Sequence, residues 1–354
     1  MECSANSSNF VRQASHVKFS PEQLFEWVGF FLLALLFCVF LSLRPIPTVD
    51  SPNDTGRYVE GFHEYCNANS LPDLASSDSY SYKIFYLTTS PACVLGSDRT
   101  FLIEIASILP LSFLIFSKWR RGTFLWASSA LFSVYGVELA TNAMRQSLGI
   151  FIFLWGMTYA RSHRRSAVIL CIVGAVAHIS VAAYLPLALL IMFTDSNVFQ
   201  PHKRKYISLA VAILGALGIV ATRNALKTTI KAFLALRDFY ASIYANHLNL
   251  SFIVFMTAPL YLIYSLRRFS EPESVSNDER TAIYYSTALL AGSFILFPAI
   301  TYRFAIFAVP LQLFLVTRSE KQSLKIGAFV LLIMIIQLFI MLFFSASYSS
   351  LFRV

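Results

Sequence analysis

Long apolar runs separated by short polar stretches make up most of this chain. A membrane-crossing helix needs about 20 mostly apolar residues, fewer where it is short or re-entrant. On that measure the runs near 24–43, 100–117, 122–140, 144–160, 166–178, 180–194, 206–222, 249–266, 281–298, 302–317 and 325–346 each predict a helix. The fifth and sixth form one apolar stretch interrupted by His178, with Pro186 further along. They read either as one long tilted helix or as a hairpin of two short ones. No internal repeat, low-complexity tract or soluble domain breaks the pattern. Residues 1–354 therefore read as a single integral membrane domain of about eleven helices with a short central hairpin.

The basic residues arbitrate between the two readings of 166–194. They cluster at Lys118–Arg121, Arg161–Arg165, Lys203–Lys205, Arg267–Arg268 and Arg318–Lys325. Cytoplasmic loops carry an excess of Lys and Arg, and only the hairpin puts all five clusters on one face. This predicts a cytoplasmic N-terminus and an external C-terminus. Trp favours membrane interfaces, and Trp27, Trp119, Trp126 and Trp155 all fall near the predicted cytoplasmic boundary. The apolar run 28–41 has the look of a signal-peptide core, but no small-residue cleavage site follows it, so it is expected to stay as the first span.

Two larger segments are then external. One is 44–99, rich in Tyr, Ser and Asp. The other is 223–248, where Arg223, Lys227 and Lys231 recur every fourth residue beside an apolar face of Leu226, Ile230, Phe233 and Leu234. That spacing predicts an amphipathic helix lying in the outer interface.

Composition agrees with a bilayer as solvent. Charged residues are 13% of the chain against about a quarter in soluble domains, and 56% of residues are hydrophobic. The net charge of +9 does not point to nucleic acid, because the cations sit between apolar runs and no nucleic-acid-binding motif accompanies them. The five cysteines show no metal-ligand spacing, so no metal or cofactor is expected. Cys66 and Cys93 are both external in this topology, where a disulfide is chemically allowed.

Charged and polar residues at the outer ends of spans are the candidates for chemistry, since a charge in hydrocarbon costs about 2.5–3.5 kcal/mol on insertion scales. Glu138, Asn142, Arg145 and Gln146 lie around an external turn in VELATNAMRQSLG. Glu138 and Arg145 can face each other there, as an ion pair closing the hairpin or as part of a site. Arg145 beside a helix N-terminus makes an anion site of backbone N–H groups and a bidentate fork. His178 sits at the external tip of the central hairpin, as a helix-packing hydrogen bonder or a proton-transfer group. Arg303 opens a later span, where it serves a site or snorkels to the interface. Arg44, Asp50, Asp54, Arg57 and Tyr58 populate the polar segment after the first span.

Taken in order, these residues resemble the EpsG family of Wzy-like bacterial polysaccharide polymerases. The resemblance rests on Arg44 followed by Asp54 and Tyr58, on Asn142, Arg145 and Gln146 opening a span, on Ala175, His178 and Ser180, and on Tyr302 with Arg303. The Asn-x-x-Arg-Gln and His elements are its most specific parts. The acidic spacing after the first span is longer than the family pattern, so Asp50 and Asp54 both compete for the aligned position.

The resemblance implies a multi-pass enzyme of the bacterial inner membrane, of the GT-C-like class. It would transfer a growing glycan from undecaprenyl diphosphate onto a lipid-linked oligosaccharide repeat unit outside the cytoplasm. Its partners would be the undecaprenyl-diphosphate-linked oligosaccharide and the bilayer, with a chain-length regulator protein as a further candidate. Arg145 and Arg303 would meet the charge developing on the diphosphate, assisted by Arg223 and Lys227. Arg44, Tyr58, Asn142 and Gln146 would bind substrate. His178 is the first choice of base, Asp54 the second and Glu138 the third. A flippase of lipid-linked sugars also needs a cationic cavity, but favours paired inverted halves that are not evident here. An O-antigen ligase or membrane O-acyltransferase would also offer a membrane His with arginines.

Overall fold

The computed structural model describes residues 20–48, 54–67, 85–193, 250–296 and 298–344. No strand occurs among them, and the chain has an all-α polytopic membrane fold. In order the helices are α1 (Pro21–Ser42), α2 (Thr55–Asn67), α3 (Ser90–Leu95), α4 (Asp98–Phe116), α5 (Thr123–Leu131), α6 (Val134–Thr141) and α7 (Met144–Thr158). There follow α8 (Arg164–Ala177), α9 (Ile179–Ala182), α10 (Leu185–Phe193), α11 (Leu250–Ser270), α12 (Asn277–Leu296), α13 (Pro298–Arg318) and α14 (Leu324–Phe344).

The first helix begins where local chemistry dictates. Ser20 and Gln23 satisfy each other's backbone N–H groups in a capping box ahead of Pro21, two of the donors a helix start leaves orphaned. Phe30, Phe37 and Leu41 of α1 are buried, whereas Phe25, Leu36 and Phe40 are exposed. Exposed apolar surface on that scale fits lipid, not water. Both α1 and α14 are outer helices of this kind. The window of α13 that could cross a membrane is almost wholly buried, and α5, α7, α11 and α12 pack around it. The carboxylate of Glu26 accepts from the backbone N–H groups of Gly122 (2.6 Å) and Phe124 (2.8 Å). It thereby fastens α1 to the uncapped start of α5.

Five described helices are long and apolar enough to cross a membrane, six if a bent pair counts as one span. That pair occupies the expected span 122–140. It is two helices, α5 and α6, bent by 55°. Ser133 caps the second by accepting from Gly136 N–H. A Cβ on Gly136 would stand 2.2 Å from the Ala130 carbonyl, so only glycine permits this turn. The stretch 166–194 contains the expected break: α8 ends at Ala177, and α9 and α10 follow. The run 206–222 lies outside the described residues.

Burial shows how two Trp and one basic residue are packed. Trp126 is fully buried and Trp119 nearly so, so neither faces the lipid boundary. Arg267, one of the basic-cluster residues, is fully buried against Glu279, with its guanidinium 5.8 Å from the Trp126 ring centroid. Side-chain composition marks an interface, but it does not say which way a helix turns.

The helices that position the site pack through small residues. On α7, Gly149 and Gly156 face Gly174, Ala167 and Cys171 of α8. A Cβ on Gly149 would come within 3.0 Å of the Gly174 carbonyl and 3.2 Å of His178 Cβ. Close backbone approach of this kind drives helix association in lipid, and it seats His178 beside the first turns of α7.

Candidate functional site

Three helix ends meet where the polar candidates gather. The end of α1 is joined to α2 by Arg44, which is buried. Its Nη1 donates to the Leu41 carbonyl at 3.2 Å and its Nη2 to Thr55 Oγ1 at 3.0 Å. The Thr55 hydroxyl then donates to the Thr141 carbonyl at the end of α6. Arg99 closes the same corner by donating to the Ser42 carbonyl and, at 2.6 Å, to the Arg44 carbonyl. Burial, and then the Arg99 charge, draw the Arg44 guanidinium down to about 10, which leaves it a cation at neutral pH. Arg44 therefore stitches helices together with the donors that were expected to bind substrate.

A small aromatic core holds α2 over this corner. Tyr58, Val59 and Phe62 pack with Phe85, Tyr86 and Phe101, and with Met144 and Leu148 of α7. Cys66 and Cys93 are joined by a disulfide, so α2 and α3 are linked covalently. His63 Nε2 lies 2.8 Å from Asp98 Oδ1 at the start of α4.

On that scaffold, residues distant in sequence interlock. Asp54 N–H donates to Asn142 Oδ1 at 2.8 Å, and Asn142 Nδ2 donates to Glu138 Oε1 at 2.7 Å. Arg145 Nε donates to the Tyr58 hydroxyl at 3.3 Å, with its guanidinium 5.9 Å from the ring centroid. Gln146 Nε2 donates to the Arg303 carbonyl at 2.9 Å. Arg303 Nη2 stands 3.9 Å from Asp54 Oδ2, while Asp54 Oδ1 holds Arg57 Nη1 at 3.2 Å. Gln146 is fully buried and Glu138 nearly so, whereas Asp54 and Arg303 keep 29% and 20% of their side-chain surface open. The buried members set geometry, and the open ones can meet a ligand.

His178 ends α8 and caps α9. Its Nδ1 accepts from the Ser180 backbone N–H at 3.3 Å and lies 2.7 Å from Ser180 Oγ. A backbone N–H can only donate, so Nδ1 carries no proton and the neutral ring presents Nε2–H. The charges that act on the ring are those of Arg303 and Arg145.

Chemically the arrangement offers two part-open arginines, one carboxylate, one imidazole N–H and a phenol. The start of α7 adds backbone donors, since no side chain caps it. A helix start beside arginines suits an anion of two or more oxygens. Among the described residues no three His, Cys, Asp or Glu side chains gather as a metal ion would require.

The structure thus brings Asp54, Tyr58, Glu138, Asn142, Arg145, Gln146, His178 and Arg303 to one place and puts Arg44 just beneath. Arg223 and Lys227, with Asp50, lie outside the described residues. Thr55, Thr141 and Arg99 escaped the sequence reading, and no spacing marks them. Gly149 also escaped it, although Gly149 and Gly156 fall on one face of α7 and were a readable signal for close packing.

Residues 27–353, which include every one of these positions, match the profile of the EpsG family. No curated protein and no solved structure matches the chain.

Proposed function

This chain belongs to the EpsG family, a family of Wzy-like polysaccharide polymerases and exopolysaccharide biosynthesis proteins, and from that premise we propose that it polymerises lipid-linked repeat units at the outer face of the bacterial inner membrane. The observation that carries this reading is the interlocking of Asp54, Asn142, Arg145, Gln146 and Arg303, which come from three distant segments and leave only the charged tips open.

In the proposed reaction the acceptor-sugar hydroxyl of one lipid-linked unit attacks the anomeric carbon of a glycan carried on undecaprenyl diphosphate. A C–O bond forms, the bond to the diphosphate oxygen breaks, and undecaprenyl diphosphate leaves with the electron pair. Negative charge grows on the leaving diphosphate, and Arg303 and Arg145 meet it as preorganised donors. Tyr58 orients Arg145 by accepting from its Nε. His178 contributes Nε2–H to the same charge, because its Nδ1 is committed to Ser180. The hydroxyl proton passes to Asp54, the part-open carboxylate of the group, while Glu138 holds Asn142 in position.

Sidedness has two supports. On the eleven-span reading of the sequence, a cytoplasmic N-terminus puts the five basic clusters on one face. The same reading puts Cys66 and Cys93 on the opposite face, and their disulfide supports this because disulfides persist in oxidising compartments.

The test is polymerisation by purified protein supplied with a defined undecaprenyl-diphosphate-linked repeat unit. Products lengthening by whole repeats, with matching release of undecaprenyl diphosphate, are expected. Transfer of the intact lipid-linked unit across vesicles without lengthening would establish a flippase instead. In a deletion strain, single repeat units on the carrier core are expected on a gel. Complete absence of repeats would indicate the flippase, and unchanged chain lengths an acyltransferase.

A further inference from the structure

At the end of the helices carrying the basic clusters, two adjoining cavities open, one between α4, α7 and α13 and the other bordered also by α10 and α12. The larger, about 470 Å³, has aromatic walls of Phe116, Phe151, Trp155 and Tyr159. Its size is that of an ordinary ligand pocket. Phe116 and Trp155 lie nearly parallel, 12° apart with centroids at 6.4 Å. Trp155 and Tyr159 are 39% and 38% exposed, so this wall is open on one side, as apolar surface facing lipid would be. The smaller cavity, about 220 Å³, shares Thr158 and Arg318 with the first and adds Lys118, Arg161 and Asp278.

The chemistry of the two halves differs. Arg318 Nη1 donates to the Phe116 carbonyl at 2.7 Å, and its guanidinium lies 5.7 Å from the Phe314 centroid. The lone acid of the lining, Asp278, is held by Arg161 at 2.6 Å. Lys118 and Arg318 are thus two cations with no carboxylate within ion-pair distance among the described residues. An occupant that satisfies both halves must be anionic at one end and apolar at the other. A free phosphate leaves the aromatic wall unused, and a zwitterionic lipid brings its own cation to Lys118 and Arg318.

We propose that these cavities bind one anionic phospholipid. Its phosphodiester sits between Arg318 and Lys118, and its glycerol and upper acyl segments lie on the Phe116–Trp155 wall. Basic pockets between transmembrane helices on the cytoplasmic side recognise anionic headgroups by this division of labour. The site is separate from the Asp54–Arg303 group and does not depend on the polymerase reading.

The test is native mass spectrometry of the full chain in detergent, titrated with phosphatidylglycerol, with phosphatidylcholine of the same acyl chains, or with inorganic phosphate. Phosphatidylglycerol is expected to be retained at least about fivefold better than phosphatidylcholine, the scale of one cation near a membrane surface. Lys118→Gln should lower phosphatidylglycerol retention by about fivefold and leave phosphatidylcholine unchanged. Lys118 is exposed and makes no described side-chain contact, so this variant keeps the fold. Arg318→Gln, which also removes the bond to Phe116, should act in the same direction. Equal retention of the two lipids, or no effect of Lys118→Gln, overturns the proposal. Release of bound phosphatidylglycerol by millimolar phosphate overturns it too, in favour of a free-anion site.

Discussion

Arg303 approaches Asp54 at 3.9 Å while Arg57 holds the other oxygen of the same carboxylate at 3.2 Å. The looser of the two contacts is the one that links segments distant in sequence. Under the proposed mechanism an incoming diphosphate would compete for Arg303 with four or more oxygens and release Asp54 Oδ2 toward the acceptor. Binding of one substrate would thereby free the group that serves the other.

A pair that works this way should be non-additive. Asp54→Asn removes the proton acceptor and should cost about 10²–10⁴ in polymerisation rate, the usual worth of a general base. Arg303→Gln should cost about 10²–10³, as for a preorganised donor to a developing anion. The double variant should be little worse than the worse single one. Rates per folded molecule check this; simple multiplication of the two losses would show that the residues act independently.

Arg145→Lys should fail to restore activity although it keeps the charge. The guanidinium lies over Tyr58, with Nε donating to its hydroxyl, and a planar fork grips an anion bidentately where an ammonium cannot. Lys offers a point charge on a flexible stem. A loss of about 10²-fold or more is expected. Full-length polymer from the Lys variant would remove Arg145 from the site.

The disulfide makes sidedness measurable. In intact cells Cys66 and Cys93 should resist a membrane-impermeant maleimide, and label only after an impermeant reductant. Cys38 and Cys171, buried and free, should stay unlabelled in both conditions. Replacing both cysteines by Ser should destabilise the fold by about 3 kcal/mol, the chain-entropy scale for a closed loop of this order. Labelling of Cys66 without reductant would contradict an oxidised external segment.

Much of this architecture could be read from the sequence, because the requirement for long apolar runs is strict in a bilayer. Helices α1, α4, α11, α13 and α14 fall within a few residues of their expected spans. The break at His178 was legible because a polar residue interrupts the apolar run there. The bend between α5 and α6 was not, since Ser133 and Gly136 are ordinary residues in an apolar run. The site residues stood out as polar groups at span ends. Their division into scaffold and ligand-facing members did not, because burial depends on partners such as Thr55 and Thr141 that carry no signal of their own.

Arg267 shows the same limit at the other face. It donates to both Glu279 oxygens (3.1 and 3.4 Å), to the Ser274 carbonyl and to Ser319 Oγ, joining α11, α12 and the end of α13. Removing one member of a buried ion pair leaves an uncompensated charge, at about 3–5 kcal/mol. Arg267→Ala should therefore lower the abundance of membrane-inserted protein several-fold. The polymerisation rate of the molecules that do fold should be unchanged. A slower rate at normal abundance would mean that the latch acts on the site.

The two nitrogens of His178 can be separated by two carboxamides. Asn places its oxygen near the position of Nδ1, so His178→Asn should still accept from Ser180 N–H and cap α9, while losing the Nε2–H donor. Gln reaches further and can set its NH₂ near Nε2, at the cost of the cap. If Nε2–H steadies the leaving diphosphate, the Asn variant should fold like the parent and lose about 10²–10³ in rate. The Gln variant should be less abundant, by a cap worth about 1 kcal/mol, yet keep most of its rate per folded molecule. If the imidazole is instead the base, both variants should lose about 10²–10⁴ alike, since neither carboxamide takes up a proton. If His178 only packs the hairpin, the Asn variant should polymerise normally. The measurement is polymerisation rate normalised to folded, membrane-inserted protein, and the ranking of Asn against Gln decides among the three roles.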